Sequence, residues 1–212
     1  MTKKPHFAKK RHILLKPDKC TILGSSNNKR THKLANFCLP PTNKSRSGAH
    51  SKVGVPNNYL NQVLGTTPYE CLEIDKRSVH ILLLSFNYLL FEPSDIHKLH
   101  LTFIKNVLIL LRVLSENGLN LQNNLIVLSP PIRFFDTSTH KIQLDEITKL
   151  GEKLIQKRIF FVNTYELLPK DLKEKNYFCR KKVDGFHYSD EVIKSISLIA
   201  ADSLKKFLDS KF

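Results

Sequence analysis

Four short apolar runs constrain how this chain folds more than any other feature: Thr21-Ile22-Leu23, Val79-His80-Ile81-Leu82-Leu83-Leu84, Leu125-Ile126-Val127-Leu128 and Ile159-Phe160-Phe161-Val162. Each is short for a helix and too continuously apolar for a strand with one wet face, so each reads as a strand buried on both faces. Helical patterns lie between them. Ser94 is placed to cap a long helix ending near Gly118, with Ile96, Leu99, Phe103, Val107, Leu110, Leu111 and Leu114 recurring at helical spacing. A second helix is expected from about Leu144 to Gln156, and a third after Ser189 to about Leu208, with Val192, Ile196, Ile199, Ala200 and Leu204 inward. Doubly buried strands joined by helices of this length pair in parallel through right-handed crossovers, which predicts a three-layer α/β/α sandwich with a mostly parallel central sheet.

Ligands in such sheets bind beyond the carboxyl ends of the strands. That directs attention to Gly24-Ser25-Ser26-Asn27, Ser85-Phe86-Asn87-Tyr88, Ser129-Pro130-Pro131 and Asn163-Thr164. The region from Phe37 to Asn58 holds Pro40, Pro41, Gly48, Gly54 and Pro56 with little apolar content, so a strand there would have to be short and exposed. No repeat of 20 to 50 residues is present, nor a Walker loop or GxGxxG, so a nucleotide cofactor has no support.

The four cysteines, Cys20, Cys38, Cys71 and Cys179, are far apart and form no CxxC pair, which argues against zinc. Near the start, only Ile13-Leu14-Leu15 forms an apolar run, too short for a signal-peptide core, so an intracellular protein, cytoplasmic or nuclear, with reduced thiols is expected. Leu99 to Leu114 is interrupted by His100, Lys105, Asn106 and Arg112 and reads as a core-facing helix rather than a membrane span.

Charge is unevenly spread. Of the formal net +15, residues 1–60 supply +12, from 13 Lys+Arg against the single acid Asp18. Such a block is attracted to phosphate backbones and anionic surfaces, while solubility, a mobile tail or a nuclear address give the same composition. Residues 1–18 read as a basic arm and residues 19–212 as one domain, in which Lys29, Arg30, Lys33, Lys44, Arg46 and Lys52 fall.

The most specific element is Val183-Asp184-Gly185-Phe186-His187-Tyr188-Ser189, directly before an amphipathic helix. Asp184 can accept from one imidazole nitrogen of His187 and leave the other facing a nucleophile. Here, from about Cys20 to the C-terminus, the chain resembles the SGNH (GDSL-type) hydrolase superfamily, whose last block reads DxxH. Its first block aligns Ser26 with the nucleophile and Ser25 with the usual Asp. Ser47-Gly48-Ala49 matches the second, with Gly48 as an oxyanion-hole donor. Ser85-Phe86-Asn87-Tyr88 stands for GxND, with Asn87 as the oxyanion-hole amide.

The resemblance implies a flavodoxin-like sandwich and a serine-dependent hydrolase of acyl or acetyl esters without a cofactor. Ser25, Ser85 and Tyr88 replace the usual Asp, Gly and Asp, groups that shape the loops holding nucleophile and amide, and a site loosened by even 1 Å loses on the order of a hundredfold in rate. Within the same superfamily the C-terminal domain of Oskar binds RNA, so an RNA- or polyanion-binding domain, with Lys29, Arg30, Lys44 and Arg46 as contacts, is the alternative. Taken singly, Ser26 fits a cap of a helix over Asn27–Phe37, Gly48 a turn and Asn87 a strand terminator.

Overall fold

The computed structural model describes residues 16–25, 28–46, 59, 74–85, 96–131, 137–174 and 188–212, with 96–101, 137–140 and 174 described by their backbone only. The strands are β1 (Lys19–Leu23), β2 (Pro41–Asn43), β3 (Ser78–Leu83), β4 (Leu125–Leu128) and β5 (Phe160–Val162). Every pairing is parallel, and the order is β2-β1-β3-β4-β5. The helices are α1 (Thr31–Leu34), α2 (Ile96–Glu116), α3 (Leu121–Asn124), α4 (Thr137–Gln156), α5 (Thr164–Leu167), α6 (Lys170–Glu174) and α7 (Asp190–Lys211).

Alternation along β3 shows why the sheet is covered on both sides. Val79, Ile81 and Leu83 pack with Val192, Ile196, Ala200, Leu204 and Phe207 of α7. Leu82, with Leu84 just beyond the strand, faces Phe103, Val107, Leu110 and Leu114 of α2 and Ile147, Leu150 and Leu154 of α4. All six residues of β3 and all four of β4 are buried, the pattern that the apolar runs implied. Phe160 of β5 meets Phe207 edge-on, with centroids 5.4 Å apart.

Helix ends follow local chemistry. Gly118, at φ +95°, closes α2: its N–H donates to Ser115 O at 2.9 Å and Leu119 N–H to Leu114 O at 3.0 Å, the paired bonds of a Schellman cap. Ser189 Oγ accepts from Val192 N at 3.3 Å and starts α7. Two extents differ from the sequence reading. The α4 helix begins at Thr137 rather than near Leu144, because its first turns lack an apolar stripe to announce them. The stretch after β1 forms only the one-turn α1, not a helix over Asn27–Phe37. β2 is the short, partly exposed strand expected between Phe37 and Asn58.

Charges at the amino edge of the sheet are matched. Lys19 Nζ lies 2.5 Å from Asp75, and Arg77 pairs with Asp18, whose N–H donates to Arg77 O at 3.1 Å. Nearby, Thr21 and Ser78 share a buried hydroxyl hydrogen bond of 2.8 Å. His80, on the same face, is buried, and its Nδ1 has no partner among the described residues. Burial, with Lys44 adding, lowers its pKa from 6.5 to about 4.

The unfolded chain therefore takes up a proton below pH 6.5 that the folded chain refuses until about pH 4. This contribution to stability is intact above pH 6.5 and declines as the pH falls to about 4. Denaturant midpoints at pH 7 and pH 4 are expected to show wild type losing about 3 kcal/mol more than His80→Phe. Parallel losses in the two proteins would contradict the assignment.

Candidate active site

In this strand order β2 lies on one side of β1 and β3 on the other, and such a reversal is where open parallel sheets form a binding crevice, here at the carboxyl ends of β1 and β3. Ser26 follows the last residue of β1, Leu23, by three positions, and Asn87 follows the last residue of β3, Leu83, by four. Ser26, Gly48, Asn87, Asp184 and His187, together with Tyr88 and Lys52, lie outside the described residues. The residues that flank them show how the segments are held.

The turn after β1 is tight. Asn28 N–H donates to Ser25 O at 3.0 Å, and the Asn28 side chain lies over Gly24. A Cβ at position 24 would meet Asn28 Nδ2 at 2.6 Å and Asn28 Cβ at 2.8 Å, so the turn accepts only glycine there without moving. Ser25 is fully buried, and its Oγ has no hydrogen-bond partner among the described residues.

Asn43, the last residue of β2, clamps this turn to the next one. Its Nδ2 donates to Asn28 O at 2.8 Å and to Lys29 O at 3.3 Å, and its Oδ1 accepts from Ser45 N–H at 2.9 Å. Past the strand, Lys44 N–H donates to Ile22 O at 2.9 Å and Arg46 N–H to Gly24 O at 3.0 Å, so parallel pairing continues up to two residues before Gly48. Nothing in the sequence pattern singles out Asn43, because its role appears only once residues fifteen apart are joined by strand pairing.

At β3, Ser85 Oγ and Leu83 O lie 3.1 and 3.3 Å from the hydroxyl of Tyr59, which is fully buried. Burial pushes that phenol up from its ordinary value of 10.0, keeping it a neutral donor. Tyr188, adjacent to His187, is also buried.

A longer connection joins the first block to the last. Arg30 Nη2 lies 2.6 Å from Asp190 Oδ1, 160 residues away, and α1 packs on α7. Arg30 stands four residues after Ser26 and Asp190 three after His187. Arg30, expected as an anion contact, is paired with Asp190. Lys29, Lys44 and Arg46 remain on the surface around the same turns, with Arg46 half-buried.

The ends of β4 and β5 are engaged with each other. Ser129 Oγ accepts from Thr164 N–H at 2.9 Å and donates to Asn163 Oδ1 at 3.4 Å. Ser129 and Asn163 therefore serve to start α5, leaving the β1/β3 crevice as the candidate site.

The fold is found in solved structures. A putative acylhydrolase from Bacteroides fragilis superposes with a TM-score of 0.56 over 92% of this chain and 92% of its own, at 14% identity. A lipolytic protein of the G-D-S-L family from Veillonella parvula gives 0.59 over 89% and 96%, at 10% identity. The chain has the SGNH hydrolase fold. A carbohydrate acetylesterase from Sinorhizobium meliloti also shares the SGNH fold, with a TM-score of 0.53 over 89% of this chain and 99% of its own, at 12% identity. No protein family's sequence pattern matches the chain, and no curated protein matches it.

Two departures from the SGNH blocks acquire a physical setting. Ser85, where the resemblance expects glycine, has a hydroxyl bonded to Tyr59. Ser25, where it expects aspartate, places a neutral hydroxyl at a fully buried position. Gly24→Ala is expected to cost about 1–3 kcal/mol by pushing Asn28 away, measured as a lowered denaturation midpoint. Tyr59→Phe keeps the ring but removes the hydrogen bonds of its hydroxyl to Leu83 O and Ser85 Oγ, with an expected cost of about 1 kcal/mol; unchanged stability would remove these hydrogen bonds from the account.

Proposed function

We propose that this chain is a serine-dependent hydrolase of small acyl esters. The observation that supports it most is the Arg30–Asp190 pair, which draws together the chain just after Ser26 and the chain just after His187. Exposed pairs of this kind contribute little stability, so its value here is geometric. The Asn28 N–H bond to Ser25 O and the Tyr59-braced end of β3 hold two further segments at the same end of the sheet.

In this reading Ser26 Oγ attacks the ester carbonyl while His187 takes its proton, and Asp184 accepts from the other imidazole nitrogen. The oxyanion that forms receives hydrogen bonds from Gly48 N–H, the Asn87 side-chain amide and Ser26 N–H, each worth roughly 3 kcal/mol of barrier. His187 returns the proton to the departing alkoxide. Water, deprotonated by His187, then attacks the acyl-serine, releasing the acid and restoring Ser26. These steps use protein groups alone.

The second reading, a polyanion- or RNA-binding domain on the same fold, is favoured by the basic turns after β1 and β2 and by the basic arm over residues 1–18. Among the described residues no helix is long and apolar enough to cross a membrane.

Hydrolysis of p-nitrophenyl acetate and butyrate tests the first reading. Ser26→Ala and His187→Ala are each expected to lower kcat by at least about a thousandfold with the fold retained. Absence of hydrolysis, or equal rates in wild type and both variants, would sink the enzymatic reading.

A further inference from the structure

The two ends of β1 treat charge differently. At the amino end Lys19 faces Asp75 and the neighbouring Arg77 faces Asp18. Around the carboxyl end, residues 28–46 carry Lys29, Arg30, Lys33, Lys44 and Arg46 and no acid, and the acid-free stretch extends from residue 19 to residue 69. Asp190 pairs with Arg30. Lys44 and Arg46 form no ion pair among the described residues.

The main chain of both residues is fixed. Their N–H groups donate to Ile22 O and Gly24 O, continuing the β1–β2 ladder past Asn43. Asn43 presents its side chain to α1, where it meets Asn28 O and His32. Strand alternation therefore turns Lys44 to the other face, the face of Thr42 and Thr21, and Arg46 follows two residues on with pairing intact. The influence of Lys44 on His80, which lies on that face, agrees. Arg46 thus has its backbone beside Gly24, two residues before Ser26, and is itself two residues before Gly48.

We infer that the crevice selects esters bearing a negative charge close to the scissile bond, and that Lys44 and Arg46 hold that charge. This rests on the hydrolase reading and gives it a substrate class: a carboxylate or phosphate-like group on the acyl or alcohol part. A nucleic-acid strand fits the described surface less well. The cations are divided between the two faces of the sheet, Lys29, Arg30 and Lys33 with α1 and Lys44 and Arg46 opposite. Phe37, the aromatic residue among 28–46, packs against the core instead of offering a stacking surface.

The test compares p-nitrophenyl esters of matched size: the methyl-capped succinyl ester, which is neutral, the free succinyl ester, which carries a carboxylate, and the phosphonoacetyl ester, which carries a phosphonate. At low salt kcat/KM for either anionic ester is expected to exceed that of the neutral one by about tenfold, shrinking as salt is added. The two anionic arms separate a preference for carboxylate from one for phosphate.

In Lys44→Gln/Arg46→Gln, with folding verified by its thermal transition, the anionic-to-neutral ratio is expected to fall to near one. A ratio near one in wild type, with hydrolysis still dependent on Ser26, overturns the inference and leaves the hydrolase reading standing. No Ser26-dependent hydrolysis of any of the three removes both. Charge-indifferent hydrolysis, with salt-sensitive binding of a single-stranded RNA oligonucleotide that the double variant loses, overturns it in favour of nucleic acid.

Discussion

β3 is buried along its entire length, and most of the architecture follows from that condition. A strand with no wet face needs a neighbour on each edge and helices on each face, and parallel neighbours require long crossovers. The chain meets this by sending β1 and β2 to one side and β4 and β5 to the other. The reversal sends α1 after β1 and α2 after β3 to opposite faces of the sheet, so a place for a ligand arises from the need to cover a hydrophobic strand.

The segments around that place are held by polar ties of modest strength. The Asn43 amide, the Ser25–Asn28 turn, the Tyr59–Ser85 bond and the Arg30–Asp190 pair each join residues distant in sequence or close a turn. Such bonds contribute about 0.5–1.5 kcal/mol apiece, small beside the two apolar layers beneath them. Their effect is directional: they fix where the strand ends point, on a foundation that the core has already made rigid.

The sequence made the buried half of this structure legible. Continuous apolar runs marked β1, β3 and β4, because burial on both faces leaves no polar alternation; β5, expected to be buried likewise, is an edge strand whose three residues are half-buried. Ser189 and Gly118 marked helix ends through capping chemistry that is local. β2 was visible only as a region where a strand would have to be short, since Pro41-Thr42-Asn43 owes its conformation to pairing with Cys20-Thr21-Ile22. The candidate residues Ser26, Gly48, Asn87 and His187 are proposed from motif order and spacing, and lie outside the described residues. The side chains that brace their neighbours, Asn43, Tyr59 and Asn28, carry no local signal, because their partners are assembled by the fold.

Both borders of the sheet are three-residue strands, Pro41–Asn43 and Phe160–Val162. One of them begins with a proline, which has no N–H to offer, and the amide groups following it are drawn inward to β1. Among the described residues, an incoming strand would find a short border on either side, a poor template for edge-to-edge growth. The same brevity that hid β2 from the sequence leaves this rigid parallel sheet with little capacity to polymerise through its borders.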